Sequence, residues 1–448
     1  MSISTVSPET QNSGRNLARW QGVTIVLLFF GYAGYYLCRS DLSVTLPQII
    51  DELVAKGVSP ETARIHLGQV ASWGVLAYAI GKFLLGGTAD LLGGKRNFLA
   101  GMGGAVVFTF LFGMGGGLPI FTLAWIGNRT VQSVGWAGVV KVSSKWFSYA
   151  SYGTVMGIIS LSYLFGDAAA RYFMGFLIER GVGWRGIFFI AGATLGVLFL
   201  LNLIFLKESR KQLGFAAPEV NPLNLFETGE RGHEEKKRNA PTPMQLLRPL
   251  LGSYLFWLVC ALSCGTTIVR ETFNFWTPTY FHQALKFGDA QAANESAWFP
   301  LLGGVSVLLA GYLSDKLGRT GRALIMFWGL LLAASVLTCL GMFRFASTPV
   351  IPVILVGLVG FLILGPYSYL AGAIALDFGG SEGSATSSAL IDSAGYVGGI
   401  LAGDTVARVS VAYGWQGAFL ALAGVTALSA LAAALFLRQQ GKAAASRA

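Results

Sequence analysis

Apolar residues fall in long runs along this 448-residue chain, separated by short polar breaks. Twelve runs reach the length of about 20 residues that a helix needs to cross a bilayer. They cover 21–49, 67–92, 97–117, 119–147, 152–180, 184–206, 250–284, 292–316, 321–345, 349–377, 384–411 and 415–438. The longest polar break, Lys207–Arg248, has ERGHEEKKRNAPTP at its centre and separates six runs from six. The pattern predicts an all-α polytopic membrane protein with twelve transmembrane helices. Its N-terminal six-helix half is 1–206, a linker covers 207–248, and the C-terminal six-helix half is 249–448.

Basic residues give the orientation, because they accumulate in cytoplasmic loops. Arg15 and Arg19, Lys95 and Arg96, Lys145, Lys207 to Lys211, Lys236 to Arg238, Lys316 to Arg322, and Arg438 with Lys442 all fall on one side of the spans. The stretches Asp51–His66 and Lys286–Glu295, on the other side, carry mixed charge. Both termini and the linker are therefore expected in the cytoplasm. Residues 1–19 hold no apolar signal core, so the first span itself would direct insertion. A short N-terminus containing Glu9 favours a bacterial inner membrane.

Composition agrees with that picture. The chain is 54% hydrophobic and 12% charged, whereas a soluble protein carries about 25% charged residues. Its net charge of +10 does not point to nucleic acid, because the Lys and Arg lie mostly between apolar runs. Cys38, Cys260, Cys264 and Cys339 all sit in apolar segments without partner ligands, so no metal, disulfide or cofactor is expected.

The halves repeat. GWRGIFFIAGA at Gly183 matches GWQGAFLALAG at Gly414, with Trp184 and Trp415 offset by 231. GGTADLLGGKR at Gly86 matches GYLSDKLGR at Gly311, with Asp90 and Asp315 offset by 225. A first outer loop longer by about six residues reconciles the two offsets. Parallel halves of this kind mark the major facilitator fold, with the site at the midplane between them.

Arg39 sits well inside the first span, where a guanidinium costs about 2.5–3.5 kcal/mol and cannot deprotonate. Its counterpart at offset 231 is Arg270, in VRETFNFWTPTYF. Pseudo-symmetry puts the two guanidiniums on opposite walls of one cavity, a receptor for a divalent, multi-oxygen anion. Phosphate or a phosphate monoester fits best. The bland alternative is a structural pairing of Arg39 with Asp41, but residues two apart lie on different helix faces.

Other charges fill in the picture. Lys82, in YAIGKFLLGG, is a candidate for holding an entering anion. Lys141, near the inner end of the fourth span, either does the same or snorkels to the cytoplasm. Arg129 is read as structural. Asp167 and Arg171 are i and i+4 and either pair with each other, or leave Asp167 to accept sugar hydroxyls or a coupling proton. Glu271, Asp392 and Asp404 are weaker carboxylate candidates. Among the aromatics, Tyr36, Tyr163, Trp276 and Tyr396, with Tyr35, Phe273 and Tyr367, line a sugar or polyol pocket or pack helices. The segments Gly86–Arg96 and Gly311–Arg322 read as inner-side latches. There the glycines Gly86 and Gly311 allow close helix approach, and Asp90, Lys95 and Arg96, with Asp315 and Arg319, bind neighbouring helix ends. GGKR is no phosphate-cradling loop, since the following Lys-Ser/Thr and a flanking strand are absent.

YxxCR at Tyr35–Arg39 with the following LSVTLP, YAIGKF at Tyr78–Phe83, GW…K…WF at Gly135–Phe147 and R-x5-W-x-P-T-Y at Arg270–Tyr280 resemble the organophosphate:phosphate antiporters. That group of the major facilitator superfamily includes glycerol-3-phosphate and hexose-6-phosphate transporters. The resemblance runs over nearly the whole chain. It implies that Arg39 and Arg270 hold the phosphoryl group with Lys82 assisting, and that an organophosphate is exchanged for inorganic phosphate. The fifth span departs from the family: it carries Asp167-Ala-Ala-Ala-Arg171 where Asn or His is common.

The mechanism expected is alternating access. An empty site would bring two cations together on closure, and a bound dianion would bridge them, which gives obligatory exchange. A proton-coupled symporter of a sugar acid, with Asp167 or Glu271 as the proton site, is the alternative within the transporters. A membrane sensor of phosphate esters, with the linker as its contact surface, is the alternative outside them. An enzyme is not expected: there is no nucleophile–base set, and His66, His233 and His282 lie in loops or at a span edge. The expected partners are the small-molecule anion, inorganic phosphate and the lipid bilayer, with no nucleic acid, and a monomer is expected.

Overall fold

The computed structural model describes residues 8–85, 88–218, 248–345 and 348–445, and no strand occurs among them. The N-terminal half contains α1 (Pro8–Ala55), α2 (Pro60–Leu85), α3 (Thr88–Leu92), α4 (Gly94–Met114), α5 (Leu118–Gln132), α6 (Gly135–Trp146), α7 (Tyr149–Glu179) and α8 (Trp184–Phe205). The C-terminal half contains α9 (Tyr254–Leu285), α10 (Asp289–Ser296), α11 (Trp298–Met342), α12 (Val350–Tyr369) and α13 (Ala375–Ala445). A 3-10 turn, Arg210–Leu213, opens the linker, whose residues 219–247 lie outside the described ones.

Helix runs through each of the twelve predicted spans among the described residues, with differences at their ends. Among the described residues, eight segments are long and apolar enough to cross a membrane. The last of them, Thr386–Gln439, has 54 residues, enough for two passes. Helix continues through its predicted gap, and Gly414 supplies the bend at φ +69°, a conformation that costs glycine little. The helices α2 and α7 do not reach that apolarity, and α5 and α6, of 15 and 12 residues, are each too short to cross alone. They carry Lys82, Arg129, Lys141, Asp167 and Arg171.

The fourth span is two helices rather than one, broken at Ser133 and Val134. It bends around Tyr35, whose hydroxyl donates to the Phe98 carbonyl at 2.8 Å. The Tyr35 phenol fills the space where a Cβ on Gly101 or Gly135 would stand. Bulk at either glycine would collide with a buried aromatic.

One buried apolar cluster lies almost wholly in residues after Leu250, and another lies before Leu213. A third joins the halves, bringing Leu42, Leu46, Trp125 and Trp184 together with Trp276 and Ala407. It sits at the face opposite the basic loops. There Ser72 Oγ donates to the Ile400 carbonyl (2.6 Å) and accepts from Asp404 N–H (2.9 Å). Arg64 Nη1 reaches Ser410 Oγ at 3.3 Å. Gly68 and Gly403 make this approach possible, since a Cβ at Gly403 would lie 2.5 Å from the Gly68 carbonyl oxygen. Gly403→Val is therefore expected to prise α2 from α13 at this face. Spin labels at residues 61 and 413 should show a longer distance distribution by double electron–electron resonance; an unchanged distribution would refute the seal.

Candidate functional site

Two contiguous cavities lie between the halves, an upper one of about 130 Å³ on the side of the sealed face and a lower one of about 220 Å³ on the side of Lys82. Each is far above the about 10–15 Å³ that one water needs. They share a waist that includes Tyr36, Arg39, Arg129, Tyr163, Arg270, Glu271 and Tyr367. Arg39 and Arg270 thus face one continuous space, as pseudo-symmetry predicted. The Arg39–Asp41 pairing does not form: Asp41 is fully buried and accepts from Leu42 N–H at 2.7 Å.

Arg39 is held from behind. The helix geometry of α1 breaks at Cys38, whose φ and ψ are −89° and 20°. The Cys38 carbonyl accepts from Gln132 Nε2 at 3.0 Å, while Gln132 Oε1 accepts from Arg39 Nε at 3.1 Å. Gln132 is itself tied to Asn128, and Asn128 Nδ2 donates to Thr109 Oγ1 (2.9 Å). Arg39 Nη1 reaches the Tyr36 hydroxyl at 3.2 Å, and the guanidinium lies 4.8 and 5.1 Å from the Tyr36 and Tyr78 ring centroids. Such stacking suits the weakly hydrated guanidinium.

Arg270 stacks on Tyr367 at 4.4 Å and pairs with Glu271 at 2.6 Å. Arg129 is no bystander: it lines both cavities, stacks on Tyr78 at 4.9 Å, and its Nη1 is buried without a hydrogen-bond partner. In the lower cavity Lys82 crosses between halves, pairing with Asp392 at 3.2 Å and donating to the Tyr396 hydroxyl at 3.0 Å.

Asp167 and Arg171 pair at 3.1 Å on α7, and both line the cavity that holds Ser40 and Ser43. Asp167 also accepts from Ser40 Oγ. Arg171 continues into the other half, donating to Ser296 Oγ (3.0 Å) and to the Asn274 carbonyl (2.7 Å). That carbonyl is available because Pro278, four residues on, has no N–H to return to it. Ser43 Oγ donates to the same carbonyl at 2.9 Å. Pro47 stands four residues after Ser43, so both prolines and both partners repeat at the 231-residue offset.

Several expected site residues fall elsewhere. Trp276 is 1% exposed, donates to the Ala402 carbonyl at 3.0 Å and packs on Phe275 and Trp415, so it belongs to the seal and not to a pocket. Lys141 lines neither cavity; its Cβ packs against the start of α4 at Gly94. Asp404 pairs with Arg408 at 2.9 Å. Gly311 does not mediate a close approach, since a Cβ there would meet nothing within 4 Å. Gly86 and the side chains of Asp90, Asp315 and Arg319 lie outside the described residues.

At the basic face one tie among the described residues is Glu208, which local sequence gave no reason to pick. Its carboxylate accepts from Gly94 N–H (3.0 Å) and Lys95 N–H (2.7 Å) at the start of α4 and pairs with Lys145. Lys95 Nζ donates to the Leu203 carbonyl at 2.8 Å. Burial would raise the Glu208 pKa, but Lys145 and the two backbone donors outweigh it and hold it below the ordinary value. Its stabilisation is therefore complete above an unfolded carboxyl pKa of about 4.3 and fades as pH falls through the depressed value. Glu208→Gln is expected to lower stability by about 1–2 kcal/mol at pH 7. A thermal melt in detergent at pH 7 and at pH 3 checks this, with the difference from native shrinking in acid.

The family model described as Major Facilitator Superfamily matches residues 28–403. A probable hexose phosphate transport protein of Chlamydia pneumoniae is 26% identical over 93% of this chain and 90% of its own length. The membrane sensor protein UhpC of Escherichia coli (strain K12) is 25% identical over 94% of this chain and 93% of its own length. Among solved structures, a bacterial homolog of the human lysosomal transporter Spinster, inward-facing and unoccupied, superposes with a TM-score of 0.70 at 14% identity. That match covers 94% of this chain and 97% of the Spinster homolog.

Proposed function

The chain belongs to the Major Facilitator Superfamily, and from that premise we propose that it exchanges a phosphate ester for inorganic phosphate across a membrane by alternating access. The observation that carries this reading is the placement of Arg39 and Arg270 on one waist. Two planar forks facing a shared space suit a tetrahedral oxyanion approached from two sides. The relatives named as hexose phosphate transport proteins agree with that cargo.

In this reading Arg39 and Arg270 hold the phosphoryl group. Lys82 receives it from the lower cavity, and Tyr36, Tyr163 and Tyr396 line the space for the organic part. Asp167 serves closure rather than cargo, because it is committed to Arg171 and Ser40. The units are 1–206, the linker 207–248 and 249–448, working as a monomer in a bacterial inner membrane. The basic face is cytoplasmic, so the sealed face is external. Phosphate-loaded proteoliposomes offered labelled phosphate with unlabelled competitors test the reading. Exchange with phosphate, inhibited by sugar or polyol phosphates, is the expected result; no exchange with any of them refutes it.

The likeness to a membrane sensor protein supports a second reading, a receptor for phosphate esters. It predicts tight binding of a phosphate ester without flux in the same vesicles.

A further inference from the structure

We infer that Glu271 is an internal competitor for the substrate phosphate: its carboxylate occupies Arg270 in the empty carrier and moves to Arg129 when phosphate arrives. The inference rests on the exchange reading above and concerns how that exchange is coupled.

Three observations carry it. Glu271 Oε1 lies 2.6 Å from Arg270 Nη2, so one of the two proposed phosphate ligands already holds an anion. Glu271 lines both cavities, at the waist where a bound phosphate would sit. Arg129 lines the same two cavities with a buried Nη1 that has no partner. A phosphate dianion and a carboxylate on one guanidinium edge repel each other at short range in a medium of low dielectric. The displaced carboxylate needs a new cation, and Arg129 has an unused donor at the same waist. Glu271 then returns when the cargo leaves.

The consequence concerns coupling. Two bare guanidiniums would resist closure of an empty carrier, and exchange would be obligatory. With Arg270 already neutralised, that resistance falls, and the carrier can return empty at a measurable rate. Affinity is lower for the same reason, since every binding event must first break the Arg270–Glu271 pair.

The test uses the purified full chain and inorganic phosphate. By titration calorimetry in detergent, Glu271→Gln is expected to bind phosphate about tenfold more tightly than the native protein. In proteoliposomes, the native protein should release trapped phosphate into phosphate-free medium, and the Gln variant should do so far less while still exchanging. Native exchange without any net release overturns this inference and leaves the function standing, and it does so whether or not the variant folds. A folded Gln variant that binds phosphate no more tightly overturns it too. If the native protein neither binds nor exchanges phosphate, the functional reading falls and takes this inference with it.

Discussion

Arg39→Lys and Arg270→Lys are each expected to bring phosphate counterflow close to zero, even though both keep the positive charge. Arg39 does two things at once: its Nε is fixed to Gln132, which aims the far edge of the fork into the chamber. A lysine ammonium is one point and cannot both hold Gln132 and meet two phosphate oxygens. Arg270 is likewise oriented by the Tyr367 ring beneath it. Losing the paired charge-assisted bonds should cost about 2–4 kcal/mol in the loaded state, roughly 30- to 1,000-fold in counterflow. Labelled phosphate uptake into phosphate-loaded proteoliposomes measures it. A native rate in either variant would show that the waist does not hold the cargo as described.

Arg171→Lys should weaken the sealed face strongly without stranding a buried charge. The lysine still neutralises Asp167 one turn away, but it lacks the reach and geometry to satisfy Ser296 and the Asn274 carbonyl together. Those two bonds cross between the halves, so they exist only while the face is shut. Their loss should shift the balance toward the open form by about 2–3 kcal/mol, roughly 30- to 150-fold. Alkylation of a cysteine placed at Ser43 reads the shift, because Ser43 lines the upper cavity and donates to the same carbonyl. Faster alkylation than in the Ser43→Cys parent is expected; an equal rate would mean that Arg171 serves only its own helix.

The architecture and the paired guanidiniums were legible because each leaves a mark that sequence can carry. Twelve apolar runs give the helices, and the 231-residue offset ties Arg39 to Arg270 as it ties Trp184 to Trp415. Pro47 and Pro278 obey the same offset, yet what matters at Pro278 is the Asn274 carbonyl freed four residues earlier, which only the fold connects to Arg171 and Ser43 of the opposite half. Trp276 misled because a large aromatic next to a charged motif suits a pocket wall or a packed interface equally well. Lys141 is open to two readings in the sequence, because a lysine near a span end can face a chamber or snorkel to the surface. Asn128 and Gln132, amides one turn apart in an apolar span, are a signal the sequence does carry, since the fold ties them together behind Arg39. Glu208 could not be found this way: its targets, Gly94 and Lys95, are more than a hundred residues distant in the chain.

The charges around the chambers bear on energetics at the level of the whole cell. Among the described residues, five cationic side chains and three carboxylates line the two cavities, a surplus of two positive charges. A dianionic cargo cancels that surplus. The loaded carrier then presents nothing for the transmembrane voltage to push, while the unladen one carries two charges in a field worth about 2.3 kcal/mol each per 100 mV. Swapping one dianion for another would be indifferent to membrane potential, and the return of a vacant carrier would not.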